Sequence, residues 1–183
     1  MYNRLIREIV RDRAHGAGWL SRRALAIMKT GALESRAESN EEFLAELASI
    51  GDRLLNSRPS MASLANEVAL CYSKACSLAG SSHSVAELRE LVSNMAGELE
   101  KAAERASLLA AREGARLIRD GDTVVTGSYS SVVCQLLIQA RDSGKRFRVL
   151  VAESLSGGES FGERLRCELA QRGIMVTLFP DLR

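Results

Sequence analysis

The segment Asp120-Gly121-Asp122-Thr123-Val124-Val125-Thr126-Gly127-Ser128-Tyr129-Ser130-Ser131 constrains the fold more than any other stretch of the chain. Upstream of it no run has the two-residue alternation of a strand. Downstream, short apolar runs alternate with helical patterns. Asp120 and Gly121 form a turn that ends a long polar and Ala-rich helix, Thr123–Thr126 reads as a short strand, and Gly127–Ser131 is a small-residue loop opening into a helix. A strand-to-helix turn of this kind aims unpaired backbone N–H groups at one point, where the helix dipole favours negative charge. Two readings fit the segment equally: a cradle for phosphate or another small anion, and a tight βα connection with no ligand.

The region before the turn is a series of amphipathic helices. Leu5, Ile6, Ile9 and Val10 mark the first, which breaks near His15-Gly16; Leu20, Ala24, Leu25, Ile27 and Met28 mark the second, ending around Gly31. Ser39 with Glu42 forms a capping box ahead of Phe43, Leu44, Leu47 and Ile50, and Pro59 stops that helix. A fourth helix is expected from about Ser60 to Leu78, then a loop at Gly80-Ser81-Ser82, then a second capping box, Ser84 with Glu87. The helix it opens carries Val85, Leu88, Val92, Met95, Leu99, Ala102, Ala106, Leu109 and Leu117 on one stripe, read as core packing.

After Gly121 the pattern predicts strand Thr123–Thr126, helix Ser131–Arg141 closed by Ser143-Gly144, and strand Phe147–Ala152, whose continuous apolar run fits burial on both faces. Helix Ser160–Gln171, closed by Gly173, and strand Ile174–Phe179 complete it. A β-α-β-α-β order implies a parallel sheet with right-handed crossovers and strand order 3-2-1. The expected organisation is a helical domain over 1–120 and an α/β domain over 121–183.

Several function classes are excluded by composition. A net charge of +2 is too balanced for a nucleic-acid footprint, so no direct nucleic-acid partner is expected. His15 and His83 lie far apart, and Cys71, Cys76, Cys134 and Cys167 lack paired spacing, so neither a metal nor a cofactor is expected. The cysteines read as small buried hydrophobes in a reducing compartment. With no secretory signal and no charge-free run of about 18 apolar residues, a cytoplasmic protein is expected, with no membrane partner. Glu98, Glu100 and Glu104 interleave with Lys101 and Arg105, which reads as an ion-paired, solvated helix face. Gly157-Gly158-Glu159-Ser160-Phe161-Gly162 has no Lys-Ser/Thr after it, so it is read as a flexible βα loop and not a P-loop. Arg4, Arg7, Arg11 and Arg13 fit a solvated first helix better than an acidic-partner site.

Six segments in order resemble the family that unites the alpha, beta and delta subunits of translation initiation factor 2B with methylthioribose-1-phosphate isomerase and ribose-1,5-bisphosphate isomerase. They are His15-Gly16-Ala17; Ser57-Arg58-Pro59-Ser60 with Leu64 and Asn66; Asp122–Ser131; Gly144–Val149; Val151-Ala152-Glu153-Ser154; and Gly173–Asp181. The resemblance covers most of the chain. It implies an N-terminal helical domain followed by the first half, about three parallel strands, of a Rossmann-like domain. It also implies assembly into oligomers, with another copy or a related subunit, and a phosphate-type ligand between the two domains. By position, His15, Gly16, Ala17, Arg58, Gly127, Ser128, Tyr129, Ser130 and Glu153 would line the ligand. Arg58 would supply a bidentate fork to phosphate oxygens; read without the resemblance, it is equally a surface arginine in an Arg-Pro turn.

The chain also departs from the family pattern. Ser128 stands where the isomerases carry a catalytic cysteine, and no nearby histidine would activate it. Leu155-Ser156-Gly157-Gly158 replaces an Arg-Pro that supplies a phosphate-binding cation, and the sequence stops at Arg183, before the family's catalytic aspartate and its Asn-Lys-Ile-Gly-Thr segment. The first strand is then expected to be an exposed sheet edge. No residue is therefore assigned a catalytic role. The expected function is a non-catalytic initiation factor 2B-like protein, oligomeric, with a phosphorylated small molecule as its ligand. The alternative is a sugar-phosphate aldose–ketose isomerase or the remnant of one, and a module without ligand is a third reading.

Overall fold

The computed structural model describes residues 2–81 and 83–181, so Ser82 of the expected loop and the final Arg183 lie outside the described residues. Two compact units divide between Glu104 and Arg105, ahead of the turn at Asp120. No helix among the described residues is long and apolar enough to cross a membrane.

The first unit is built from α1 (Tyr2–Arg11), α2 (Ala17–Glu34), α3 (Asn40–Ser57), α4 (Ala62–Ala79) and the N-terminal part of α5 (Val85–Leu117). α2 is the hub, with Leu20, Ala24, Leu25, Ile27 and Met28 buried against Phe43, Leu47, Leu54, Leu64 and Val68. Each of these side chains larger than alanine contributes about 1.5–3 kcal/mol by leaving water. The capping serines act as expected: the Ser39 hydroxyl accepts from the Glu42 N–H at 3.1 Å, and the Ser84 N–H donates to the Glu87 carboxylate at 2.8 Å. Gly31 does not end α2. It lies inside the helix, and a Cβ there would meet Ile50 Cδ1 of α3 at 2.3 Å, so the glycine lets α3 approach closely.

The stripe expected along α5 holds only through Leu99. Leu88, Val92 and Ala96 are buried, but Ala102, Ala106, Leu109 and Leu117 are exposed, and Ala111, Ala115 and Ile118 are buried instead. The buried face changes because the C-terminal turns of α5 belong to the second unit, where Gly114 sits against Leu136.

That unit contains β1 (Thr123–Gly127), α6 (Ser131–Asp142), β2 (Arg148–Ala152), β3 (Leu155–Ser156), β4 (Glu159–Ser160), α7 (Phe161–Ala170) and β5 (Val176–Phe179). Its main sheet is parallel in the order β1-β2-β5, the expected 3-2-1 arrangement, with Val125 beside Leu150 and Leu150 beside Thr177. Parallel crossovers are right-handed as a rule, and two stepping in one direction put α6 and α7 on the same face. On that face Val124, Val149, Val151, Val176 and Leu178 pack against Leu137, Leu165 and Leu169. The opposite face carries Arg148, Val125 and Thr177, all exposed, so β2 is buried on one face and not on both. Its apolar run misled because Leu150 and Ala152, on the open side, are only half-buried.

The glycine segment after β2 is also more ordered than a flexible loop. β3 and β4 pair as an antiparallel hairpin, with Gly157 and Gly158 both at positive φ in a two-residue turn. All four cysteines are free; Cys71 and Cys134 are buried, Cys76 is half-buried, and Cys167 is exposed on α7, against the expectation that each would be a core residue. Burial pushes the thiols up, to about 11 for Cys71 and about 12 for Cys134, with nearby Glu67 and Glu168 acting in the same direction.

Candidate functional site

The residues named by the sequence fall into both units. In the second unit they gather at the carboxyl ends of the parallel strands. Gly127 closes β1, and Ser128 follows with φ 60°. Ser154, just past β2, has φ 50°. A left-handed conformation costs a residue other than glycine about 1–2 kcal/mol, so neighbouring contacts must hold it. Here the Ser128 N–H donates to Ser154 Oγ at 2.7 Å, while the Asp181 carboxylate accepts from the N–H groups of Ser154 at 2.7 Å and Leu155 at 2.8 Å. The segments that follow β1, β2 and β5 are thereby tied together. Ser130 caps α6 by accepting from the Val133 N–H at 3.4 Å. The first N–H groups of α6 therefore open at the strand ends, where ligands bind in open α/β sheets.

Tyr129 and Glu153 take different positions. The Tyr129 hydroxyl donates to Glu168 at 2.9 Å, and the Arg164 guanidinium lies 4.2 Å from the ring centroid, so the ring belongs to the α6–α7 packing. Burial first, and then the Glu168 hydrogen bond, push the phenol up to about 12. The Glu153 backbone joins three elements: its N–H donates to Phe179 O at 2.9 Å, and its carbonyl accepts from the Gly162 N–H at 2.9 Å and Ser160 Oγ at 3.0 Å. This close approach explains Gly162, where a Cβ would lie 2.1 Å from Ala152 O.

In the first unit, Asp12 links the two segments named there: Arg58 reaches its carbonyl, and its carboxylate holds His15, which leads into Gly16 and Ala17. Asp12 organises them. Its carboxylate accepts from the His15 N–H at 2.8 Å and faces His15 Nδ1 at 2.7 Å. The imidazole stacks on Trp19 with centroids 3.8 Å apart. Burial raises the Asp12 carboxyl, but the His15 side-chain and backbone hydrogen bonds outweigh it and hold the group below the usual carboxylate range. Gly16 is the N-cap of α2, and its carbonyl accepts from Trp19 and Leu20; Ala17 is the first helical residue. Arg58 turns its guanidinium to the end of α1, donating from Nε and Nη2 to Ile9 O at 3.2 and 2.9 Å, and from Nη2 to Asp12 O. Among the described residues no bond is made by Nη1. Nearby, Arg4, Arg7, Glu8, Arg11 and Asp12 line a cleft of about 530 Å³ with charges of both signs.

Sequence reasoning missed Asp12, Trp19, Ser154 and Asp181. Asp12 carried a signal: an Asx residue three positions before His15 is placed to accept from its N–H. The bonds of Asp181 to Ser154 and Leu155 join strand ends far apart in sequence and had none. Among the described residues there is no group of three His, Cys, Asp or Glu able to hold a metal ion.

A helical unit followed by an α/β unit with a three-stranded parallel sheet makes this a helix-rich α/β protein. The match is more particular than that. Residues 13–182 match the initiation factor 2 subunit family, and the chain belongs to it. It is 31% identical over 177 residues to a translation initiation factor eIF-2B subunit 2-like protein of Pyrococcus horikoshii, covering 97% of this chain and 58% of that one. It is 30% identical over 166 residues to the ribose 1,5-bisphosphate isomerase of Pyrococcus furiosus, covering 91% and 51%. The crystal structure of the Pyrococcus horikoshii translation initiation factor eIF-2B superimposes with a TM-score of 0.81 at 28% identity, over 98% of this chain and 59% of that one. The chain thus spans between half and three fifths of the length of these relatives.

Proposed function

We propose that the chain is a non-catalytic, eIF-2B-like member of the family that binds a phosphorylated small molecule, associates with another copy or a related subunit, and acts in the cytoplasm. The observation that carries this reading is the loop after β1. Aldose–ketose isomerisation needs an acid and a base beside the sugar carbons. At the position the family resemblance gives to the catalytic cysteine stands Ser128, whose hydroxyl has no hydrogen-bonded base among the described residues. Tyr129 beside it is committed to Glu168 and Arg164. What remains at this loop is recognition chemistry: the N-terminal N–H groups of α6 and the Ser128 and Ser130 hydroxyls, all suited to an anion.

The likeness to the Pyrococcus furiosus ribose 1,5-bisphosphate isomerase supports a second reading, a sugar-phosphate isomerase. One experiment separates the two. Calorimetry with ribose 1,5-bisphosphate, 5-methylthioribose 1-phosphate and nucleoside monophosphates should give saturable heat for at least one, with no ketose formed. Ketose formation refutes the non-catalytic reading, and a folded protein giving no heat with any of them refutes the ligand.

A further inference from the structure

The carboxyl ends of the parallel strands already hold an anion that belongs to the chain. The successive N–H groups of Ser154 and Leu155 donate to the two oxygens of Asp181, to Oδ1 at 2.7 Å and to Oδ2 at 2.8 Å. Ser154, at φ 50°, sits in the turn that aims both N–H groups at one carboxylate, an arrangement that binds carboxylates and phosphates alike. Asp181 lies two residues beyond β5, and β2, which leads into Ser154, is the central strand. Charge is uneven along this row of strand ends. Residues 127–135, from the end of β1 into α6, include no charged side chain, and the partners of Tyr129 within them, Arg164 and Glu168, are of opposite sign. Residues 150–162, from within β2 through the hairpin, carry Glu153 and Glu159 and neither lysine nor arginine. Asp181 adds a third carboxylate at that end. The Ser128 N–H, which donates to Ser154 Oγ at 2.7 Å, joins the uncharged end to the acidic one.

We propose that Asp181 is a specificity-determining residue: by filling the N–H pair after β2 with a carboxylate, it restricts the site to ligands with one phosphate and an uncharged, hydroxylated body. This rests on the phosphorylated ligand proposed above, whose class it narrows. A phosphate at the first turn of α6 lies at the uncharged end, and the rest of the ligand extends over β2 toward Ser154 and Glu153. Hydroxyl groups there donate to carboxylates. The oxygens of a second phosphate act as acceptors, and they find the Ser154 and Leu155 donors already taken. They also meet like charge. At an effective dielectric between those of a protein surface and bulk water, a dianion about 8 Å from one carboxylate loses about tenfold or more in affinity. A sugar monophosphate or a nucleoside monophosphate fits this arrangement, and a bisphosphate does not.

Calorimetry with matched ligands tests it. Ribose 5-phosphate against ribose 1,5-bisphosphate, and adenosine 5′-monophosphate against adenosine 3′,5′-bisphosphate, differ by one phosphate in each pair. The wild-type chain should bind at least one monophosphate, and bind it about tenfold or more tighter than its bisphosphate. Asp181→Asn removes the charge while its amide oxygen still accepts from an N–H. It should bring the pair to within about threefold by tightening the bisphosphate alone. A wild-type chain that binds the two equally, or a variant that keeps the wild-type preference, overturns the role of Asp181 and leaves the phosphorylated ligand standing. A folded chain that binds none of the four overturns both. Should Asp181→Asn fail to fold, salt decides on the wild type. The preference should shrink between about 0.05 and 1 M sodium chloride, where charge is screened, and a preference that salt does not move overturns the proposal.

Discussion

Arg58 distinguishes two physical accounts of the same residue, and truncating it to alanine separates them. Its guanidinium donates to Ile9 O and Asp12 O at the end of α1, tying the C-cap of α3 to that helix. A hydrogen bond from a charged donor contributes about 1.5–3 kcal/mol net, and a cation at a helix C-terminus about 0.3–1 kcal/mol. These terms share one group and do not add fully, so Arg58→Ala should remove about 2–4 kcal/mol from the first unit. For a chain of this size that shifts the midpoint by about 5–15 °C. Trp19 is the single tryptophan and stacks on His15 beside this contact, so its fluorescence reports unfolding of this unit alone. Arg58→Lys keeps the charge without the fork and should recover only part of the loss. If Arg58→Ala left the Trp19 transition within about 0.5 kcal/mol of wild type, the range of ordinary surface substitutions, while abolishing phosphate binding, the capping account would be refuted in favour of the phosphate fork.

Other consequences are equally specific. The Tyr129 phenol, pushed up to about 12 by burial and Glu168, should titrate well after an ordinary tyrosine in an alkaline absorbance titration, and Tyr129→Phe should remove that late step. Because its folded value lies above its unfolded one, its contribution to stability is fully present below pH of about 10 and is lost as pH rises through about 12. The lowered Asp12 carboxyl gives the opposite sign: stability of the first unit is present above the ordinary carboxylate range and lost as pH falls through the depressed value. Trp19-monitored melts of Asp12→Asn should show a flatter acid limb; an unchanged limb would refute this assignment. Gly162→Ala places a Cβ 2.1 Å from Ala152 O, a backbone atom that cannot swing aside, so it should destabilise the second unit by about 1–3 kcal/mol in a denaturant melt.

The features legible in the sequence were those set by neighbouring residues. Ser39 and Ser84 cap their helices, and the strand order followed from the β-α-β-α-β alternation. What escaped depends on tertiary approach. Gly31 looked like a stop, but the crowding by Ile50 that explains it comes from another helix. Leu109 and Leu117 continued a periodic stripe, yet periodicity carries no information on where a helix changes packing partners. Leu150 and Ala152 read as two-sided burial because small and aliphatic residues are tolerated on an open face as well as in a core. At the candidate site, residue types were legible but their partners were not. Arg58 has donors suited to phosphate, and the structure spends two of its nitrogens on carbonyls. Tyr129 lies in the strand-end loop, and its hydroxyl reaches α7.

The most direct test of a recognition site without catalytic groups is a 31P NMR titration of ribose 1,5-bisphosphate and 5-methylthioribose 1-phosphate with the purified chain. The account predicts a saturable shift of at least one phosphate resonance, weakened by Ser128→Asp, with no ketose phosphate signal appearing over time. Conversion of either sugar phosphate to its ketose by this chain alone would contradict it.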